Sequence, residues 1–203
     1  MIVLYFFVII ITLVVWKILY NKRLNITYIK SNIDNNYYLV RNDSKFTYEQ
    51  KQEAADFLAD LRKDLIDFTI FIQDRKENQN KKEDFNRFFS RLDPDNIIEA
   101  PDDDSSTSYC INKGEEIAIC LRDKEDNTKF HKKNTIIYVI LHELAHVMSV
   151  SIGHNEEFME NFRFLLRNAI KAKVWNRVDY CRPNKWHYHR NRRKKRNKIL
   201  LGL

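Results

Sequence analysis

Residues 1–20 are apolar at almost every position. Met1 to Trp16 carries no charge and is interrupted only by Thr12; Lys17 breaks the run, and Ile18, Leu19 and Tyr20 resume it. A helix rises about 1.5 Å per residue, so about 20 residues reach about 30 Å, the thickness of a bilayer core. The pattern predicts a transmembrane anchor over residues 1–20. Lys17 sits near its end, where the long stem can snorkel to the interface, and Tyr5, Trp16 and Tyr20 suit interfacial positions. A cleaved signal peptide wants a basic leader, a shorter apolar stretch and a small-residue cleavage site, none of which the run has. Lys17, Lys22 and Arg23 all lie C-terminal to the run. They predict a single-pass membrane protein with its bulk on the cytoplasmic side.

After the apolar run the pattern changes. Residues 21–36 are polar and Asn-rich and read as a linker, and residues 37–183 as the folded domain. Tyr37 to Val40 is a short β-prone run. Thr47-x-x-Gln50 resembles a capping box. Beyond it Phe57, Leu58, Leu61, Leu65, Phe68 and Ile72 recur at three- and four-residue spacing, which predicts an amphipathic helix from about Thr47 to Gln73. Arg75 to Asp84 is charged and solvated. Phe85, Phe88, Phe89 and Leu92 predict a short helix ended by Asp93-Pro94. Asp102 to Ser106 reads as a loop. Tyr109–Ile111 and Ile117–Leu121 read as strands across an Asn112-Lys113-Gly114 turn.

A helix follows from about Thr135, with Asn134 as its expected cap. Ile136, Ile137, Val139, Ile140, Leu141, Leu144 and Val147 cover most of its surface, so it belongs in the centre of the domain. A second helix runs from about Asn155 to Ala172. The mixture predicts an α+β fold.

The central helix carries His142-Glu143-Leu144-Ala145-His146. Residues four apart share a helix face, so His142 and His146 can direct imidazole nitrogens at one metal ion. Glu143 points aside from that pair and is placed to act on a metal-activated water, the logic of a metalloprotease. A catalytic zinc takes three protein ligands and keeps one position open. His154, after the flexible Gly153, is the expected third ligand; Glu157 and Glu160 compete for the role. The ion expected is Zn2+. An unpaired buried carboxylate would be costly in so apolar a helix.

Charge changes the picture only at the C-terminus. The formal net charge is +7. Seven basic residues crowd between Arg190 and Lys198; setting them aside leaves 28 of the 35 Lys and Arg, against 28 Asp and Glu. Residues 184–203 therefore form a basic tail, mixed with Trp186, His187, Tyr188 and His189, that suits phosphate backbones or anionic lipid headgroups. Cys110, Cys120 and Cys181, without CxxC spacing, read as reduced thiols rather than a disulfide framework.

Leu141 to His146 followed by Gly153-His154-Asn155-Glu156-Glu157-Phe158 resembles the active-site signature of WLM/SprT-like zinc metalloproteases, in particular versions in large DNA viruses. The resemblance spans roughly Tyr109 to Ala172. It implies a minimal zincin-like domain, in which a small mixed sheet packs on the active-site helix and the following helix. It also implies an edge strand that pairs with extended substrate, for which Ile117–Leu121 is the expectation. The function implied is a membrane-anchored zinc-dependent endopeptidase with a protein substrate and Glu143 as general base. His131, Tyr138 and Tyr180 are the candidates for steadying the oxyanion. Two other readings stand beside it: a non-catalytic, zinc-stabilised structural or adaptor protein, and a DNA-associated protease using its basic tail.

Overall fold

The computed structural model describes residues 2–23, 25–74, 82–102 and 108–178. Its elements run α1 (Ile2–Arg23), β1 (Ile26–Lys30), β2 (Tyr37–Arg41), α2 (Tyr48–Gln73), α3 (Lys82–Arg91), β3 (Ile97–Glu99), β4 (Tyr109–Ile111), β5 (Glu116–Ile119), α4 (Lys133–Met148) and α5 (Glu156–Lys171). The basic tail, Tyr180, Cys181, His187 and His189 lie outside the described residues, as does most of the 102–106 loop.

The helix boundaries follow local chemistry. Thr47 and Gln50 form the capping box, each side chain answering the other's backbone amide at the start of α2. Asn155 caps α5 by accepting from the Phe158 amide. The expected Asn134 cap is not made. α4 begins two residues before Thr135, at Lys133, with no side-chain cap. Asn134 instead exchanges two hydrogen bonds with the backbone of Asn176, at 2.9 and 2.8 Å, and so ties the chain after α5 to the start of α4.

α4 occupies the centre. Its Ile136, Ile137, Ile140, Leu141, Leu144, Val147 and Met148 are all buried, in one core shared with Leu58, Leu61, Leu65 and Phe68 of α2, Phe88 of α3, Ile117 and Ile119 of β5, and Phe158, Phe162 and Leu165 of α5. Being covered over most of its surface is what permits a helix so apolar.

The sheet lies on one flank. β5 runs between β3, parallel to it, and β4, antiparallel to it. Ile117–Leu121 is therefore not the edge strand expected for substrate. The run is apolar at every position, the pattern of a strand covered on both faces, and Ile117, Ala118 and Ile119 are fully buried. The edge beside α4 is β4. It reaches β5 through a turn in which Asn112 and Lys113 take positive φ of 47° and 58° and Gly114 takes 122°. A side chain at Gly114 would meet the Arg91 carbonyl oxygen at 2.9 Å, so both the backbone and the space require glycine.

Two further expectations are corrected. The stretch taken as a linker holds β1, paired antiparallel with β2 from Ile26↔Arg41 to Lys30↔Tyr37; burial of Ile26 and Ile29 keeps it on the domain. Secondly, among the described residues no helix is long and apolar enough to cross a membrane. That overturns the single-pass anchor and the membrane localisation built on it. Lys17 falls inside the apolar run of α1, and its charge acts on Glu116 of β5.

Candidate metal centre

Helix geometry sets two of the three candidate ligands. His142 and His146 stand one turn apart on α4 with ring centroids 5.1 Å apart. The chain then leaves α4, bends through residues 149–153, and turns at Gly153, whose φ is +89°. His154 follows at the threshold of α5, with its ring centroid 4.9 Å from His142 and 5.0 Å from His146. One nitrogen from each of the three rings lies within 4.8 Å of the others. The Nε2 atoms of His142 and His154 are 3.0 Å apart. Two nitrogens at about 2.1 Å from one tetrahedral ion would stand about 3.4 Å apart, so the rings are already close to a spacing that suits zinc.

Phe158 forms the floor. It is fully buried, and its ring centroid lies 4.9, 4.3 and 4.7 Å from those of His142, His146 and His154. Phe162 adds an edge contact to His142 at 5.4 Å. The apolar floor has an electrostatic consequence. Burial, and then the neighbouring histidines, push the His142 imidazolium down to about 4. Burial and His154 lower His146, with a smaller push from Lys113. Near neutral pH both rings are neutral and offer lone pairs, the state a metal requires. Among the described residues this is the one His/Cys/Asp/Glu cluster so arranged, and its donor set fits zinc.

Glu143 is half-buried on the same helix. Burial alone raises its carboxyl to about 7. Its charge is felt by Cys110 on β4, whose thiol is pushed up to about 12, first by burial and then by Glu143. The metal helix and the sheet edge thus face each other across Glu143 and Cys110. Cys110 and Cys120 are both free thiols.

The competing ligands do other work or none. Glu157 turns away from the triad and accepts hydrogen bonds from the Val150 amide at 2.7 Å, the Ser151 amide at 3.0 Å and the Ser151 hydroxyl. Those donors, the Ser151 hydroxyl foremost, hold its carboxyl down to about 2. Glu160 is exposed. His131 sits 4.0 Å from Asp123. Tyr138 packs on Phe162 and Trp175. Tyr180 is outside the described residues. Phe158 belongs to the signature that carries the resemblance, but its place beneath the three rings is a tertiary feature; Lys113 read only as a turn residue, and local spacing does not mark its charge acting on His146.

The described residues form an α+β chain in which two histidines from one helix converge with a third from the threshold of the next. The model of the WLM domain matches residues 100–197, and the chain belongs to that family, which is associated with zinc-dependent peptidases. Its relatives come from large DNA viruses. It is 36% identical over 160 residues to an uncharacterized protein of Acanthamoeba polyphaga mimivirus, covering 76% of each chain. It is 31% identical over 104 residues to an uncharacterized protein of Invertebrate iridescent virus 6, 48% of this chain and 58% of that one. It is 43% identical over 63 residues to an uncharacterized protein of Invertebrate iridescent virus 3, 31% of this chain and 38% of that one. No solved structure matches it.

Proposed function

We propose that this chain is a zinc-dependent endopeptidase in which His142, His146 and His154 hold the metal and Glu143 moves the proton. The observation that carries the reading is the convergence of three imidazoles, two of them held neutral, beside a carboxyl raised to about 7. Zinc held there would supply Lewis-acid polarisation of the scissile carbonyl and a more acidic water.

The rest falls to the chain's own side chains. A carboxyl poised near neutrality can both take and give a proton at working pH. Glu143 takes one from the attacking water at a carboxylate oxygen and delivers it to the departing amine nitrogen. β4, with one edge unpaired among the described strands, offers backbone donors and acceptors to an extended peptide. Val150 and Ile152, exposed on the bend that leads to His154, offer apolar contact to the peptide's side chains. The basic residues between Arg190 and Lys198 remain the segment suited to an anionic partner such as nucleic acid, and binding through them would weaken steeply with salt.

The test is metal content of the full chain together with cleavage of a denatured protein, run beside Glu143→Gln. Stoichiometric zinc in both, with cleavage reduced about 100- to 10,000-fold in the variant, is the expected result. Zinc without cleavage in either protein would favour the non-catalytic, zinc-stabilised reading. Absence of zinc would sink the proposal.

A further inference from the structure

The three candidate ligands are not held alike. His142 and His146 stand one turn apart on the mostly buried α4, and their spacing is set by the helix itself. His154 is exposed and stands at the end of an exposed bend, next to a glycine. Its position is only as well defined as the bend, so what fixes the bend fixes the third ligand.

The bend is gripped from both sides of its backbone. Its carbonyls are held by two cations, one from α3 and one from the β4–β5 turn. Arg87 of α3 donates to the Met148 carbonyl at 2.7 Å. Lys113 of the β4–β5 turn donates to the carbonyls of Ser149, at 3.2 Å, and Val150, at 2.6 Å. The amide side is held by one residue. The two Glu157 oxygens take the consecutive amides of Val150 and Ser151, with the Ser151 hydroxyl as a third donor. Glu157 lies in the first turn of α5, the helix that begins directly after His154 and also supplies Phe158 beneath the rings. It therefore closes a short ring of chain, from Val150 through His154 and back to Glu157, pinned where it leaves α4 and where it enters α5.

We infer that Glu157 is a positioning residue for the metal centre: its bidentate grip on Val150 and Ser151 sets the bend that presents His154. The inference rests on the reading of the triad as a zinc site. Partners one step removed from metal ligands commonly carry about 10- to 100-fold in metal affinity, and that is the size of effect expected here. The effect belongs to one ligand only. Removing Glu157 weakens zinc binding when His154 is present and changes nothing further when His154 is gone.

The experiment is zinc affinity by chelator competition on the full chain, for wild type, Glu157→Ala, Glu157→Gln, His154→Ala and the His154→Ala/Glu157→Ala double variant. Cobalt absorption spectra of the same proteins serve as a second readout. Glu157→Ala is expected to lose about 10- to 100-fold in affinity and to shift the cobalt spectrum towards that of His154→Ala. Glu157→Gln, which keeps one accepting oxygen, is expected to fall between them and serves if the alanine variant does not fold. The double variant is expected to match His154→Ala. An unchanged affinity in both Glu157 variants overturns the inference, as does an equal loss with and without His154, which would mark a global structural role. If wild type binds no zinc, the zinc reading itself falls and takes the inference with it. Zinc binding by wild type that His154→Ala weakens but Glu157→Ala and Glu157→Gln do not would leave the zinc reading standing and remove this one alone.

Discussion

Two polar clusters among the described residues are balanced in opposite ways. At one end of the sheet Glu99 is completely buried between two buried arginines. Its Oε1 accepts from Arg122 Nε at 2.7 Å and its Oε2 from the Arg41 amide at 2.8 Å. The arginines are satisfied in turn. Arg41 donates to the Ala100 carbonyl at 2.7 Å and to Asp102 at 3.1 Å; Arg122 donates to the carbonyls of Gln50 and Asn127 at 3.2 and 3.3 Å. The Arg122 guanidinium also lies 3.9 Å from the centroid of the Phe46 ring. Every charge in this knot is answered by the chain itself, and it ties the β1–β2 hairpin, β3 and the start of α2 together. The histidine triad is the reverse. Three nitrogens converge, burial keeps two rings neutral, and the described residues bring no cation among them. A closed cluster holds a fold; an open one asks for something from outside.

The hardest way to break that contrast is to open the closed cluster. Glu99→Ala leaves two buried arginines without their shared carboxylate, and losing one partner of a buried pair costs about 3–5 kcal/mol. Urea unfolding should show that loss. Because the knot and the triad share no side chain, zinc bound per folded molecule should not change. A zinc site lost in the folded variant would mean that the two clusters are coupled and the contrast is false.

The next effect is the complement, closing the open cluster. A ligand that binds only the folded chain stabilises it by about 2.7 kcal/mol at 100 times its dissociation constant. Thermal unfolding should therefore move up with zinc and return with a chelator. Glu99→Ala should keep that increment on its lower baseline, and His146→Ala should lose most of it. An equal zinc shift in His146→Ala would place the binding elsewhere.

How much of this the sequence disclosed follows from how far apart the partners lie. His142, Glu143 and His146 share two turns of one helix and His154 follows shortly after, so spacing alone brings out the set. The long stripe of α2 and its Thr47–Gln50 box are local as well. β1 and β3 are not: they run Ile26–Lys30 and Ile97–Glu99, too short to display a period, and the parallel partner of β3 is β5, beyond the intervening β4. The knot joins Arg41, Glu99 and Arg122 from three parts of the chain, with no spacing to mark it. Asn134 has the chemistry of a cap, but tertiary pairing with Asn176 claims it. The Glu157 carboxylate read as a competitor to His154 for the third ligand, and only the position of the Val150 and Ser151 amides shows what it serves.

Glu157 lies between the two extremes, a charge answered by the chain yet partly open to water, and pH can tell it from both. Its carboxyl is held at about 2, below the ordinary 4.5, chiefly by the Ser151 hydroxyl and the Val150 amide. A depressed folded-state value contributes stability that is fully present above the unfolded value and is lost as pH falls through the folded one. The contribution should be complete above about pH 5 and fade towards pH 2. Solvent screening at this exposed bend limits it to about 1 kcal/mol. Urea unfolding of wild type and Glu157→Gln, with a chelator present so that metal release does not intrude, should show a gap at pH 5.5 that narrows steadily with acid. A gap that stays constant across that range would mean that the ionised carboxylate is not what holds the bend, and Glu157 would then rank with the packing around it rather than with the charged clusters.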